Sequence, residues 1–334
     1  MLLGTGGTIA GSAADADDNL GYTAAQVGVA QLLRAIPESV LAPFEIVAEQ
    51  VAQLDSKDMS FVVWRQLAQR CTHWLAQEGV QGVVITHGTD TLEETAFFLQ
   101  SVLPAGLTSE KPVVLTCAMR PASAYFPDGP QNLADALAVA SDVPAKGVLA
   151  VCAGRIHSAL HVQKVHPYRL DAFDSGDAGP LGFVEEGRVR WVCAPVPILV
   201  LSTANVEQAR CSAEPTASAL EVLAQLTIWP RVEIIMNYAG AGGFMVDAML
   251  ARSILDPLHG LVVAATGNGT LHHDLERALL RAQDAGVRVV LSSRCHTGRV
   301  LPRSDAQFPD SCGLSPVKAR VALMLDLMLG VAGA

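Results

Sequence analysis

Two threonines in this chain are placed where a hydroxyl could act on a substrate. In Leu2-Leu3-Gly4-Thr5-Gly6-Gly7-Thr8-Ile9-Ala10-Gly11, and again in Thr86-His87-Gly88-Thr89-Asp90-Thr91-Leu92-Glu93-Glu94-Thr95, an apolar run stops at a glycine turn carrying a hydroxyl. A threonine hydroxyl is a weak nucleophile until a neighbouring base takes its proton and a further group orients that base. Asp90 adjoins Thr89 and offers such a charge. The plainer reading makes Thr89 and Asp90 helix caps: Thr91 with Glu94, and in competition Asp90 with Glu93, has the spacing of a capping box. The second turn of the same build weighs against a purely structural role for either.

Other chemistries fit less well. Gly4, Gly6 and Gly7 fail as a dinucleotide fingerprint, because Ile9 stands at the third glycine position and no helix is expected to follow. No Gly-Lys-Ser/Thr closes a P-loop. His157 and His161 have a spacing that on a helix could hold a metal, but there is no intervening glutamate and no third ligand. His272-His273 and Cys295-His296 are poor ligand sets by spacing, so no metal is expected. The seven cysteines, scattered without C-x-x-C pairs, read as small buried hydrophobes in a reducing compartment. A formal net charge of -10 leaves no basic stripe for nucleic acid, and no apolar run reaches membrane-spanning length. The first strand is expected almost at residue 1, without a basic leader before it, which suggests a cytoplasmic protein, or a periplasmic one if a signal peptide has been removed.

The elements that must position these hydroxyls follow from periodicity. Residues 80–86 form a short β-branched run, and 91–102 have helical spacing with Leu92, Ala96, Leu99 and Leu103 inward. Gly88 is expected to let the backbone turn sharply between them, leaving Thr89 and Asp90 at the carboxyl end of a strand, where open α/β sheets bind ligands. Residues 11–21, rich in Ala, Asp, Ser and Gly, read as a mobile lid ending at Tyr22. A helix is expected over 23–36 with Val27, Ala30, Leu33 and Ile36 inward, and a strand over 44–51. The Asp55-Ser56-Lys57-Asp58 turn and a helix over 61–77 follow. Strands at 113–117 and 147–152 flank a helix at 130–143, and 183–191 reads as a hairpin around Glu186-Gly187. Further on, strands at 232–236, 261–265 and 287–292 alternate with helices at 246–253 and 271–285. Ser315 as N-cap and Pro316 open the last helix. At 334 residues and 50% hydrophobic, the chain suits two α/β domains. The larger, N-terminal one (1–200) is a doubly wound, mostly parallel sheet, joined by a linker (201–225) to a smaller C-terminal α/β domain (226–334).

Together, Thr5-Gly6-Gly7-Thr8-Ile9-Ala10 and His87-Gly88-Thr89-Asp90-Thr91 resemble the two threonine motifs of the bacterial-type L-asparaginase family. The resemblance runs on through Gln53-Leu54-Asp55-Ser56-Lys57-Asp58-Met59, Ala118-Met119-Arg120-Pro121, Gly179-Pro180-Leu181-Gly182, Gly267-Asn268-Gly269 and Ser292-Ser293-Arg294. It implies an amidohydrolase that converts L-asparagine to L-aspartate and ammonia through an acyl-threonine intermediate, without a cofactor. In that scheme Thr5 is the nucleophile, Tyr22 orients it, and Thr89, Lys164 and Asp90 form a proton relay. Ser56 holds the substrate carboxylate and Asp90 its ammonium, while backbone at Gly88, Thr89 and Ala118 lines the pocket. Lys57 stands where the family commonly has glutamine or glutamate, which bears on substrate preference. Asn268, with Asp305 as the acidic partner, is implied to reach a neighbouring subunit's site in a homotetramer built from intimate dimers. The alternatives are a glutaminase-asparaginase of broader range, the amidase subunit of a tRNA-dependent amidotransferase, and a non-catalytic amino-acid-binding homologue.

Overall fold

Runs of four or five β-branched and leucine residues, too short for helices, make the buried strands of the first unit. The computed structural model describes residues 1–195, 219–225, 228–252 and 256–330, and the chain divides into units Met1–Ile198 and Leu199–Ala334. In the first unit, β1 (Leu2–Gly6), β2 (Ala48–Leu54), β3 (Val83–Thr86), β4 (Val113–Thr116) and β5 (Val148–Cys152) are all parallel. A parallel neighbour needs a crossover, and helices supply it. They are α1 (Val29–Leu33) and α2 (Glu38–Leu41), α3 (Phe61–Leu75), α4 (Leu92–Val102) and α5 (Ala105–Thr108), and α6 (Gly129–Ser141). Every residue of β1, β3, β4 and β5 is buried, as both faces of such a sheet are covered.

After β5 the chain doubles back. β6 (Arg155–Ser158) runs antiparallel to β5, and the β9 (Gly182–Glu185) and β10 (Arg188–Trp191) hairpin completes an eight-stranded sheet of order β10-β9-β6-β5-β4-β3-β1-β2. Glu186 and Gly187 both have positive φ (50° and 70°), the geometry of a two-residue hairpin turn. Between β6 and β9, β7 (Gln163–Lys164) and β8 (Phe173–Asp174) form a separate two-stranded ladder.

The second unit contains α7 (Ala219–Gln225) and a parallel three-stranded sheet, β11 (Arg231–Met236), β12 (Leu258–Ala265) and β13 (Arg288–Ser293), in that order. With it go α8 (Phe244–Arg252) and α9 (His273–Asp284), packed on a core that includes Leu261, Val263, Leu275, Leu279 and Val289, and α10 (Pro316–Met328), which packs against the three strands, with Leu323 beside Gly260. The architecture is therefore α/β, a larger mostly parallel sheet unit and a smaller one. Of the expected linker, 201–218 lies outside the described residues, and Ala219–Gln225 is helical. Among the described residues no helix is long and apolar enough to cross a membrane.

Several local expectations need correction. The helix over 23–36 shrinks to α1, because Thr23 bridges to Ser12 and the Gln26 and Val27 N–H groups donate to Ala10 O at 2.6 and 2.9 Å. These bonds to the preceding segment claim the backbone before a helix can, and the buried face becomes Val29, Leu32 and Ile36. The strand expected at 44–51 lies at Ala48–Leu54, in register with β1. Neither capping box forms: Thr91 is the N-cap of α4 but makes no side-chain cap bond, its hydroxyl donating instead to Ser56 O at 2.8 Å. Ser315 is the N-cap of α10 and Pro316 its first residue, as expected, although the Ser315 side chain makes no cap bond. His157 lies on β6, not a helix, and bonds Ser175 Oγ.

Candidate active site

Three turns at the carboxyl ends of β1, β2 and β3 meet. At the first, Gly6 and Gly7 take φ of 101° and 80°, which glycine alone adopts freely. A Cβ on Gly7 would strike the Gly88 backbone, and a Cβ on Gly88 would strike Ser56 Oγ. Gly88 itself has no positive φ, so its role is close approach and not the sharp bend expected of it. The third member of the contact, Ser56, opens a 3₁₀ turn after β2; its Oγ accepts from Asp90 N at 3.1 Å.

Buried hydrogen bonds fix the β3 turn from beneath. Trp64 Nε1 donates to Thr95 Oγ1 at 2.8 Å, Thr95 Oγ1 lies 3.0 Å from His87 Nε2, and His87 Nδ1 lies 2.7 Å from Gly88 O. A carbonyl only accepts, so Nδ1 carries the hydrogen and Nε2 accepts from Thr95. Burial disfavours the imidazolium and pushes the His87 pKa down to about 4, leaving the ring neutral near pH 7. The sequence signal for His87, which its motif alone does not give, is a polar ring between a strand and a helix, where it must be satisfied.

On this base sits the charged group. Lys164 Nζ donates to Thr89 Oγ1 at 2.8 Å and to Asp90 Oδ1 at 2.7 Å, and Thr89 Oγ1 is 3.4 Å from Asp90 Oδ1. The Lys164 side chain is 17% exposed against 52% for Asp90, so the ammonium is enclosed while the carboxylate opens outward. The lysine is held through its backbone, which pairs with Phe173 and donates its N–H to Glu93 Oε1 at 3.2 Å. Such a cluster can pass a proton between a threonine hydroxyl and a lysine amine, with the carboxylate steadying the ammonium that results.

Thr5, buried on β1, donates its hydroxyl to Thr86 O at 2.9 Å. Tyr22 does not bond Thr5: its hydroxyl is 2.6 Å from Thr8 Oγ1. The loop 11–21 before it is tied down, with Ala122 N donating to Gly11 O (2.9 Å) and Ala13 N to Ser123 Oγ (2.8 Å). Lys57 is exposed and pairs with Asp58, which with Asp55 and Asp90 holds its pKa above the usual lysine value. Ala118 is fully buried just beyond β4. In the second unit, the Asn268 carboxamide is spent on one neighbour, accepting from Leu301 N at 2.6 Å and donating to Leu301 O at 3.5 Å. Asp305 is exposed and forked to Arg303 at 3.0 and 2.6 Å.

Comparison with known proteins agrees in both units. The model of the asparaginase N-terminal domain matches residues 1–197, and that of the glutaminase/asparaginase C-terminal domain matches 231–331. An L-asparaginase 2 of Bacillus subtilis is 36% identical over 98% of this chain and 81% of its own length. A glutaminase-asparaginase of Pseudomonas fluorescens is 34% identical over 98% and 85%. A crystal structure of a probable cytoplasmic L-asparaginase from Campylobacter jejuni superposes with a TM-score of 0.84 at 36% identity, covering 98% of this chain and 94% of that one.

Proposed function

The chain belongs to the asparaginase family, and from that premise we propose that it hydrolyses L-asparagine to L-aspartate and ammonia through a covalent acyl-threonine intermediate. The observation that carries the reading is the Lys164 ammonium within 2.8 Å of both Thr89 Oγ1 and Asp90 Oδ1. Thr5 Oγ1 attacks the side-chain amide carbon; the C–O bond forms as the carbonyl becomes an oxyanion, which backbone N–H groups near Gly88 and Ala118 stabilise. The proton lost by Thr5 passes along the relay of Thr89, Lys164 and Asp90 to the amide nitrogen, so that the C–N bond breaks and ammonia leaves. The relay then takes a proton from the water that attacks the acyl carbon and returns it to Thr5 Oγ1 as the ester C–O bond breaks and aspartate is freed. Ser56 and Lys57 face the substrate carboxylate, and Asp90 its ammonium. Tyr22 acts on the nucleophile turn through Thr8. Release of ammonia from asparagine by the purified protein tests the whole reading; no release from asparagine or glutamine would end it.

A broader glutaminase-asparaginase activity is the second reading, favoured by the Pseudomonas relative and by Lys57 in place of the family's usual residue. The working enzyme is a homotetramer of intimate dimers in which Asn268, with Asp305, serves a neighbouring subunit's site. Mixing a Thr5→Ala protein with an Asn268→Ala protein, after reversible dissociation, should recover activity. No recovery despite proven exchange would mean that each chain works alone. Location is cytoplasmic, supported by six cysteines without disulfides among the described residues and by the Campylobacter relative's description. Cell fractionation decides this against the periplasm, where a Haemophilus influenzae relative is described.

A further inference from the structure

Asp128 stands at the N-cap of α6, the position where an aspartate ordinarily accepts from the helix's own free N–H groups. Here it makes no such bond. Its carboxylate instead accepts from two consecutive amides of the turn after β4, Met119 N and Arg120 N, both at 2.9 Å. Asn132, one turn along α6 and buried, donates to Asp128 Oδ2 (3.2 Å) and to Cys117 O (2.9 Å), and accepts from Ala153 N beyond β5 (3.0 Å). Peptide groups on both sides of Ala118 are thus clamped by side chains of one helix end. Between them lies Gly129, where a Cβ would meet Ile9 of the first glycine turn at 2.9 Å and Ala118 Cβ at 3.5 Å. The helix end therefore touches the nucleophile turn and the Ala118 turn at once. Further along the same segment, Ala122 and Ser123 carry the hydrogen bonds that seat the 11–21 loop.

We infer that Asp128, braced by Asn132, is a positioning residue: it gives up capping its own helix to set the height of the Ala118 turn, and with it the seat of the 11–21 loop, against Thr5. This rests on the reading that Ala118 backbone lines the substrate pocket. Two charge-assisted bonds from one carboxylate are stronger and more directional than neutral ones, so they suit a turn whose amides must stay aimed. Displacement of such a turn by about 1 Å is enough to lower turnover on the order of 10²-fold.

The test measures kcat and KM of the full-length protein, on whichever amide the wild type hydrolyses, with thermal melting of each variant. Asp128→Ala should reduce kcat/KM on the order of 10²-fold while melting well above the assay temperature. Asp128→Asn, whose amide oxygen keeps one of the two N–H groups, should fall between, at about tenfold. A control, Glu49→Gln, weakens the Arg70 ion pair at the amino end of β2 and should lower the melting temperature without moving kcat. Wild-type kcat/KM, within about threefold, for folded Asp128→Ala overturns the inference, as does an equal loss in Glu49→Gln. If Asp128→Ala does not fold, the same threshold applied to Asp128→Asn decides. Absence of hydrolysis by the wild type is a separate result, which overturns the asparaginase reading and this inference with it.

Discussion

Gly7 and Gly88 face each other with no room for a side chain on either, so the two threonine turns are in backbone contact. The relation between the turns is therefore set by main chain, which has fewer ways to shift than side chains do. Gly88→Ala must move either Gly7 or Ser56, whose Cβ already lies 2.6 Å from the site of the added methyl. The variant should lose about 1 to 3 kcal/mol of stability, by denaturant titration, and should raise KM through the displaced Ser56. Unchanged KM and stability together would show that the contact is slack.

Thr5→Ala, Thr89→Ala and Lys164→Met should each lower kcat by roughly 10² to 10⁴-fold with circular dichroism unchanged. A loss below about tenfold at any of them would remove that residue from the mechanism. Lys164→Met further strands Thr89 and Asp90 without their shared donor, so its loss should at least match that of Thr89→Ala.

His87 gives the protein an acid limit. Its folded pKa, about 4, lies below its ordinary 6.5, so between those values the unfolded chain binds a proton that the folded one refuses. Stability from this group is complete above pH 6.5 and declines as pH falls towards 4, by up to about 3 kcal/mol. Urea titrations at pH 7, 5.5 and 4 should show this slope in the wild type and a shallower one in His87→Gln. Equal slopes would place the acid sensitivity elsewhere.

Lys57→Gln restores the family's usual residue and removes an exposed cation. Because the ammonium is solvated and already paired with Asp58, the effect on KM for asparagine should be a few-fold increase, not a loss of activity. The ratio of asparagine to glutamine turnover should move with it. A variant with both constants unchanged would take Lys57 out of the substrate pocket.

Strands β3, β4 and β5 and helix α4 are legible in the sequence because burial on both faces leaves uninterrupted apolar runs, and because Leu92, Ala96, Leu99 and Leu103 repeat at helical spacing and are all buried. β2, only partly buried, lies four residues later than expected at its start, and the short β6, β7 and β8 carry no such run. The stretch 23–36 misled because its apolar spacing is helical, while its backbone is claimed by Ser12 and Ala10 from an earlier segment, which no local pattern records. The resemblance ties Tyr22 to Thr5; Thr5 and Thr8 share one turn, and only the folded path brings Tyr22 to Thr8. The Asp128 clamp leaves no mark in the sequence for a related reason, since aspartate before a helix is expected to cap it. Nothing near Lys164 marks it out. Its partners are Thr89 and Asp90, and only the resemblance to the family links them.

The two-residue ladder that carries Lys164 has a consequence for how the protein acquires activity. Lys164 meets Thr89 and Asp90 across 75 and 74 residues of chain, and Thr5 meets Thr86 across 81. Loop closure of that length is entropically unfavourable until the intervening strands have paired, and two residues of β7 against β8 add little to drive it. On refolding from denaturant, the helical and sheet signals should therefore recover first and the lysine should dock last, leaving an interval in which the chain is native by backbone and catalytically silent.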